Sequence, residues 1–243
     1  GEIEFRHTDF SYEDQPVLRD VNIRVPAGGT LAVVGRVGSG KTTIARLVPS
    51  LIRAGAGQVL IDGVPIEEIP LAPLRAAIGY VPQDSFLFSD SLRENVALGA
   101  EPEATDRAAG IARLTADLES FSEGMETVVG ERGVTLSGGQ KQRTALARAI
   151  VRDPRILILD DALASVDTHT EEEILKGLWD VMRGRTTILI AHRISTVQHA
   201  DHIVVLEEGH IAEEGTHVQL VAHNGIYADM YNRQHLSEEL SEL

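Results

Sequence analysis

At the start of the chain apolar and polar residues alternate. Ile3, Phe5 and Phe10 are followed by Val17-Leu18 and Val21-Asn22-Ile23-Arg24-Val25, and then by the turn Pro26-Ala27-Gly28-Gly29. A period of two puts successive side chains on opposite faces of a strand, so this stretch predicts short strands in a small antiparallel sheet. The pattern then changes. Leu31-Ala32-Val33-Val34 and Ile156-Leu157-Ile158-Leu159 are apolar without interruption, as in parallel strands covered on both faces. Gln58-Val59-Leu60-Ile61, Ile78-Gly79-Tyr80-Val81 and Thr186-Thr187-Ile188-Leu189-Ile190 predict further strands, and 202–212 a closing hairpin around Glu208-Gly209. Helical spacing predicts helices over 43–48, 73–77, 92–98, 104–118, 138–151 and 168–182, with further helical segments to Leu243.

The order of these elements predicts an α/β fold in three stretches. Residues 1–83 hold a β subdomain and the first part of a parallel core, 84–152 a helical insertion, and 153–243 the rest of the core with C-terminal helices. At 243 residues the chain is long enough to bury a sizeable core. It has no cysteine, which excludes disulfides, thiolate metal sites and cysteine nucleophiles. With 37 acidic against 22 basic residues the net charge is −15, so no nucleic-acid partner is expected and any phosphate binding is local. No window approaches the ~18 apolar residues of a membrane helix, and Gly1-Glu2-Ile3-Glu4 has no signal-peptide character.

The candidate chemistry centres on Gly35-Arg36-Val37-Gly38-Ser39-Gly40-Lys41-Thr42, which fits G-x-x-x-x-G-K-[ST] between a predicted strand and a helix opening at Thr43. Backbone N–H groups of such a turn converge on an anion, and the helix dipole points the same way. Lys41 would reach the β- and γ-phosphates, and the Thr42 hydroxyl a nucleotide-bound Mg²⁺. Tyr12, in a polar stretch, is either a half-buried strand residue or a platform for a purine ring. Gln83, Asp160, Asp161 and His192 all follow predicted strands, on the edge where open α/β sheets bind ligands. There Gln83 could reach Mg²⁺ or the attacking water, Asp160 the metal beside Thr42, Asp161 the water and His192 the γ-phosphate. Ser137-Gly138-Gly139-Gln140 opens another helix. It reads equally as a plain Ser-Gly cap or as a second anion nest, and a second nest calls for a second nucleotide.

Taken together these motifs resemble the nucleotide-binding domain of ABC transporters, over nearly the whole chain. Tyr12 matches the adenine-stacking A-loop, Gly35 to Thr42 with the following Thr43 the Walker A loop, and Gln83 the Q-loop. Leu136 to Gln140 match the signature, Ile156 to Asp160 Walker B, Ala164 to Asp167 the D-loop and His192 the switch histidine. The resemblance implies a RecA-like P-loop core with antiparallel β and helical subdomains, the ABC ATPase fold. It also implies two such domains sandwiching two ATP molecules with Mg²⁺, so that Ser137, Gly138, Gly139, Gln140 and Asp167 serve the partner's ATP in trans. Thr127 to Gly133 resembles the X-loop of exporters. With the Q-loop it implies contact with a transmembrane domain at the cytoplasmic face of the membrane, and that domain is expected upstream of Gly1.

One departure matters. Where the family usually has Glu after the Walker B Asp, this chain has Asp161, and its D-loop reads Ala-Ser-Val-Asp. Asp is one methylene shorter, and attack geometry is sensitive at about 1 Å, so the site is expected to bind MgATP and hydrolyse it slowly. The substitution resembles the degenerate half of heterodimeric exporters, which implies a non-identical partner bearing a catalytic Glu. A slow homodimeric exporter and a soluble ABC ATPase acting on nucleic acid or the ribosome are the competing readings.

Overall fold

A computed structural model describes residues 1–118, 121–130 and 135–241; of Thr168 and 237–241 it describes the backbone alone. The elements run β1 (Ile3–Tyr12), β2 (Gln15–Val25), β3 (Thr30–Gly35), α1 (Lys41–Leu47), β4 (Ala56–Ile61), β5 (Val64–Pro65), α2 (Leu71–Ala76), β6 (Ile78–Val81), α3 (Leu92–Ala97), α4 (Pro102–Ile111), α5 (Thr115–Leu118) and α6 (Gly138–Ile150). They continue with β7 (Ile156–Asp160), α7 (Thr168–Met182), β8 (Thr186–Ile190), α8 (Ile194–Val197), β9 (His202–Glu207), β10 (His210–Gly215), α9 (His217–His223) and α10 (Ile226–Ser241). No described helix is long and apolar enough to cross a membrane.

Two sheets carry the fold. An antiparallel one has the order β2-β1-β4-β5, and a six-stranded one the order β10-β9-β3-β8-β7-β6. In the second, β9, β3, β8, β7 and β6 pair in parallel, with Leu31 opposite both Ile188 and His202 and Leu157 opposite Thr187; β10 closes the edge antiparallel. The uninterrupted apolar runs have a simple cause: alternate residues enter two different cores. Leu31, Val33, Ile156, Ile158, Ile188 and Ile190 face the antiparallel sheet and α1. Ala32, Val34, Leu157, Leu159 and Leu189 face the helices, above all α6 and α7.

Three expectations change in detail. Val17-Leu18 and Val21–Val25 are parts of one strand, β2, whose pairing with β1 shifts register between Phe5 and Ser11. The helix expected over 104–118 breaks after Ile111. Arg113 takes the left-handed φ of 55°, and the N–H groups of Arg113 and Leu114 donate to the carbonyls of Gly110 and Ala109, a Schellman stop that drives Leu114 into the core. The closing strand runs on to Gly215, beyond the expected Ala212.

Candidate functional site

β3, β7 and β8 end side by side, and the segments that leave them build one cavity. β3 stops at Gly35 with φ 145°, where a Cβ would lie 2.2 Å from the carbonyl oxygen of Leu206; only glycine lets β9 run this close. The loop ends at Gly40, φ 106°, the N-cap of α1, and no side chain caps that helix. Lys41 is buried, and its Nζ donates to the carbonyls of Gly35 and Arg36, both at 2.9 Å. Beside it the Thr42 hydroxyl donates to Oδ1 of Asp160 at 3.0 Å, and the Tyr80 hydroxyl approaches Oδ2 at 3.5 Å.

Beyond the loop lies a cavity of about 350 Å³. Tyr12, Val37, Gly38, Gly40, Lys41, Thr42, Thr43, Gln83, Asp161 and His192 line it, so residues from five separate stretches of chain meet here. Gly35 and Arg36 serve instead as acceptors for Lys41, and Ser39 has a buried hydroxyl with no partner among the described residues. An orphaned hydroxyl, an uncapped helix start and a lysine folded onto carbonyls are what a phosphate cradle holds ready for its anion.

Asp161 occupies the tip of β7 with φ 50°, a left-handed conformation that Asp tolerates better than most residues. Its N–H donates to the carbonyl of Ile190, and its Oδ2 lies 3.0 Å from Nε2 of His192. Burial pushes the Asp161 carboxyl above the ordinary range, against the pull of His192 and Lys41. Burial also raises Asp160, against the Thr42 hydroxyl bond, and pushes the Tyr80 phenol up to about 12. Lys41 moves the other way, lowered by burial while Asp161 and Asp160 hold its charge. Among the described residues no three His, Asp or Glu side chains converge on a metal. A hydroxyl, a carboxylate and an amide oxygen, from Thr42, Asp160 and Gln83, suit Mg²⁺ whose other ligands are phosphate oxygens and water.

The second glycine turn lies elsewhere. Ser137 caps α6: its Oγ accepts from the N–H of Gln140 at 3.2 Å, and the Gln140 side chain accepts from the N–H of Ser137 at 3.0 Å. A Cβ on Gly138 or Gly139 would come within 3.2 and 3.1 Å of Ser165, so the absent side chains let this turn pack against the segment after β7. Asp167 caps α7, its Oδ1 accepting from the N–H of Thr170, a bond that holds its carboxyl below the ordinary range. None of these residues lines the cavity around Lys41.

Residues with no mark in the sequence join the two turns to the site. Gln142, buried in α6, donates to the carbonyl of Asp161 at 3.2 Å and accepts from the N–H of Ser165 at 2.8 Å. Val17 and Arg46 line the cavity, and the Tyr12 hydroxyl, ahead of that of Tyr80, raises the Arg46 pKa. Helical spacing could flag Gln142 as facing the core, but its partners lie nineteen and twenty-three residues away. At the start of the expected X-loop, Val128 pairs with Ser91; Glu131, Arg132 and Gly133 lie outside the described residues.

Residues 18–164 match the family model described as ABC transporter. The chain is 46% identical over 242 residues to the Bacillus subtilis protein named "Probable multidrug resistance ABC transporter ATP-binding/permease protein YheI", covering 97% of this chain and 41% of that one. To the ATP-dependent lipid A-core flippase of Alcanivorax borkumensis it is 43% identical over 244 residues, covering 98% of this chain and 42% of the flippase. Among solved structures, a bacterial Atm1-family ABC exporter with ATP bound superposes with a TM-score of 0.92 at 43% identity, over 96% of this chain and 42% of that one. The chain thus spans about two fifths of the length of these relatives. The family match, joined to the phosphate loop, the acidic strand tip and the histidine beside it, places this chain in the ABC transporter family, with the fold of its ATP-binding domains.

Proposed function

We propose that this chain is the ATP-binding domain of an exporter at the cytoplasmic face of a membrane, and that its own ATP site turns over slowly while its signature turn completes the site of a non-identical partner. The observation that carries this reading is Asp161: it lines the phosphate cavity, pairs with His192 at 3.0 Å, and is one methylene shorter than the glutamate usual there. ATP is the substrate, with its purine on Tyr12 and its phosphates over residues 35–43. Lys41 leaves the two carbonyls to bind the β- and γ-phosphates, and the Thr42 hydroxyl, Asp160 and Gln83 hold the magnesium. The metal would supply charge neutralisation on the phosphate oxygens. Asp161 accepts a proton from the attacking water, and His192 keeps its Nε2 at the carboxylate and the γ-phosphate.

The turn Ser137 to Gln140 keeps the N–H groups of Gly138 and Gly139, first-turn donors that a helix cannot satisfy itself, for the partner's γ-phosphate, with Asp167 beside it. The transmembrane domain docks on the surface after Gln83. Phe86 and Phe88 stand exposed there, 5.3 Å apart edge to face, with Arg148 over Phe88, and the Ser91–Val128 bridge brings the X-loop segment alongside. An exposed apolar pair is a natural nucleus for such a contact, since burying it removes apolar surface from water.

Steady-state ATPase at high protein concentration, wild type beside Asp161→Glu with MgATP binding checked in both, tests the reading. A wild type that binds MgATP but barely hydrolyses it, and a variant faster by about tenfold or more, is the expected outcome. Equal turnover would make Asp161 a sufficient base and a homodimeric exporter the better reading.

A further inference from the structure

The residues just past His192 form the one-turn helix α8, whose N-cap, Arg193, gives it no side-chain cap. Its first N–H, on Ile194, is met from outside. Oε1 of Gln234, forty residues further on in α10, accepts it at 2.6 Å. The other end of the same amide donates: Nε2 of Gln234 lies 2.5 Å from the carbonyl oxygen of His192. One side chain therefore engages the acceptor of residue 192 and the donor of residue 194, two of the backbone groups on either side of Arg193.

The same stretch is tied down on its other side by a different element. Glu171, buried in α7, receives the Arg193 guanidinium and the Thr196 hydroxyl, the latter at 2.6 Å. Those bonds hold side chains; the bonds to Gln234 hold the backbone under the imidazole. The imidazole itself is 44% exposed, and Asp161 is the partner it pairs with at its Nε2. Where the ring stands is thus set chiefly by the backbone that carries it, and a catalytic group works only when held within about 0.5 Å of its productive position.

We propose that Gln234 is a positioning residue for His192: through one amide, the C-terminal helix fixes the loop that presents the imidazole to Asp161. The inference rests on the reading of His192 as part of the hydrolytic site. Neither a carboxylate nor a methyl group can do what the amide does. Gln234→Glu keeps an acceptor for Ile194 but sets an oxygen against the His192 carbonyl, and Gln234→Ala loses both bonds.

Nuclear magnetic resonance on the nucleotide-free chain tests this without hydrolysis, so a silent or an active Asp161 site leaves the answer legible. Three signals are followed in wild type, Gln234→Ala and Gln234→Glu: amide exchange at Ile194, the side-chain couplings that report the χ1 rotamer of His192, and the chemical shifts of its ring. In Gln234→Ala the Ile194 amide is expected to exchange about tenfold faster and the His192 couplings to average over rotamers. In Gln234→Glu, which also serves if the alanine variant fails to fold, Ile194 stays protected while the His192 couplings average. A His192 ring that keeps both a single rotamer and the wild-type ring chemical shifts in the folded variants overturns the proposal, whatever Ile194 does; a single rotamer with displaced ring shifts is the same loss of position, carried by the backbone.

Discussion

Two helices of this chain open on glycine turns, and the two turns are in opposite states. At α1, Gly40 is an uncapped N-cap, Ser39 has a buried hydroxyl without a partner among the described residues, and Lys41 is folded back onto carbonyls beside a cavity of about 350 Å³. At α6, Ser137 and Gln140 satisfy each other, and the glycines pack on Ser165. The first turn leaves a buried hydroxyl without a partner among the described residues and a helix start without a side-chain cap. The second is a finished cap, with Gly138 exposed and Gly139 buried beside Ser165. On the reading proposed above, the same residue types thus build a site for this chain's own ligand in one place and a surface for a partner's in the other; what differs is whether a cavity lies opposite.

Breaking the first turn should give the largest effect. Lys41→Ala is expected to weaken MgATP binding by about 100-fold or more in a fluorescent-nucleotide titration, since a charge-assisted contact in a half-buried site is removed. Ser137→Ala should leave that affinity within about twofold, and an equal loss there would erase the distinction between the turns. The second turn should respond in stability instead. Loss of the Ser137 cap is expected to cost about 1 kcal/mol, seen as a fall of roughly 2–4 °C in the melting temperature. Lys41→Ala should not lower the melting temperature of the nucleotide-free chain in this way, because burial already works against the lysine's charge.

The smallest effect concerns pH. Asp161 is raised above its unfolded pKa, so the folded chain binds the proton more tightly than the unfolded one, and the stability this contributes is lost as pH rises through the folded value. Asp161→Asn removes that dependence. Its melting temperature relative to wild type should therefore climb from about pH 4 towards neutrality in the nucleotide-free chain, and a difference that is flat or falls with pH would contradict the burial argument.

Much of this was legible in the chain itself. Uninterrupted apolar runs such as Ile156-Leu157-Ile158-Leu159 announced strands covered on both faces, and the residues from Gly35 to Thr42 announced the turn from strand to helix, because glycine spacing and a lysine at a helix start are local chemistry. Gln83, Asp161 and His192 were legible as strand-end residues, since parallel strands bring their carboxyl ends to one edge. The stop at Arg113 was not, because a left-handed residue other than glycine is chosen by the burial of Leu114 rather than by its own preference.

The sequence by itself determined most of the elements and their order and pointed to a nucleotide as ligand, because these signals depend on residues within a turn or a strand of one another. Only the tertiary structure decided that Gln142 ties α6 to the Asp161 carbonyl, that Arg46 reaches Tyr12, and that Gln234 caps a helix forty residues earlier. A glutamine amide can satisfy any exposed carbonyl or N–H, so its type says nothing about which one it meets; that is fixed when packing brings two distant backbones within about 3 Å of it.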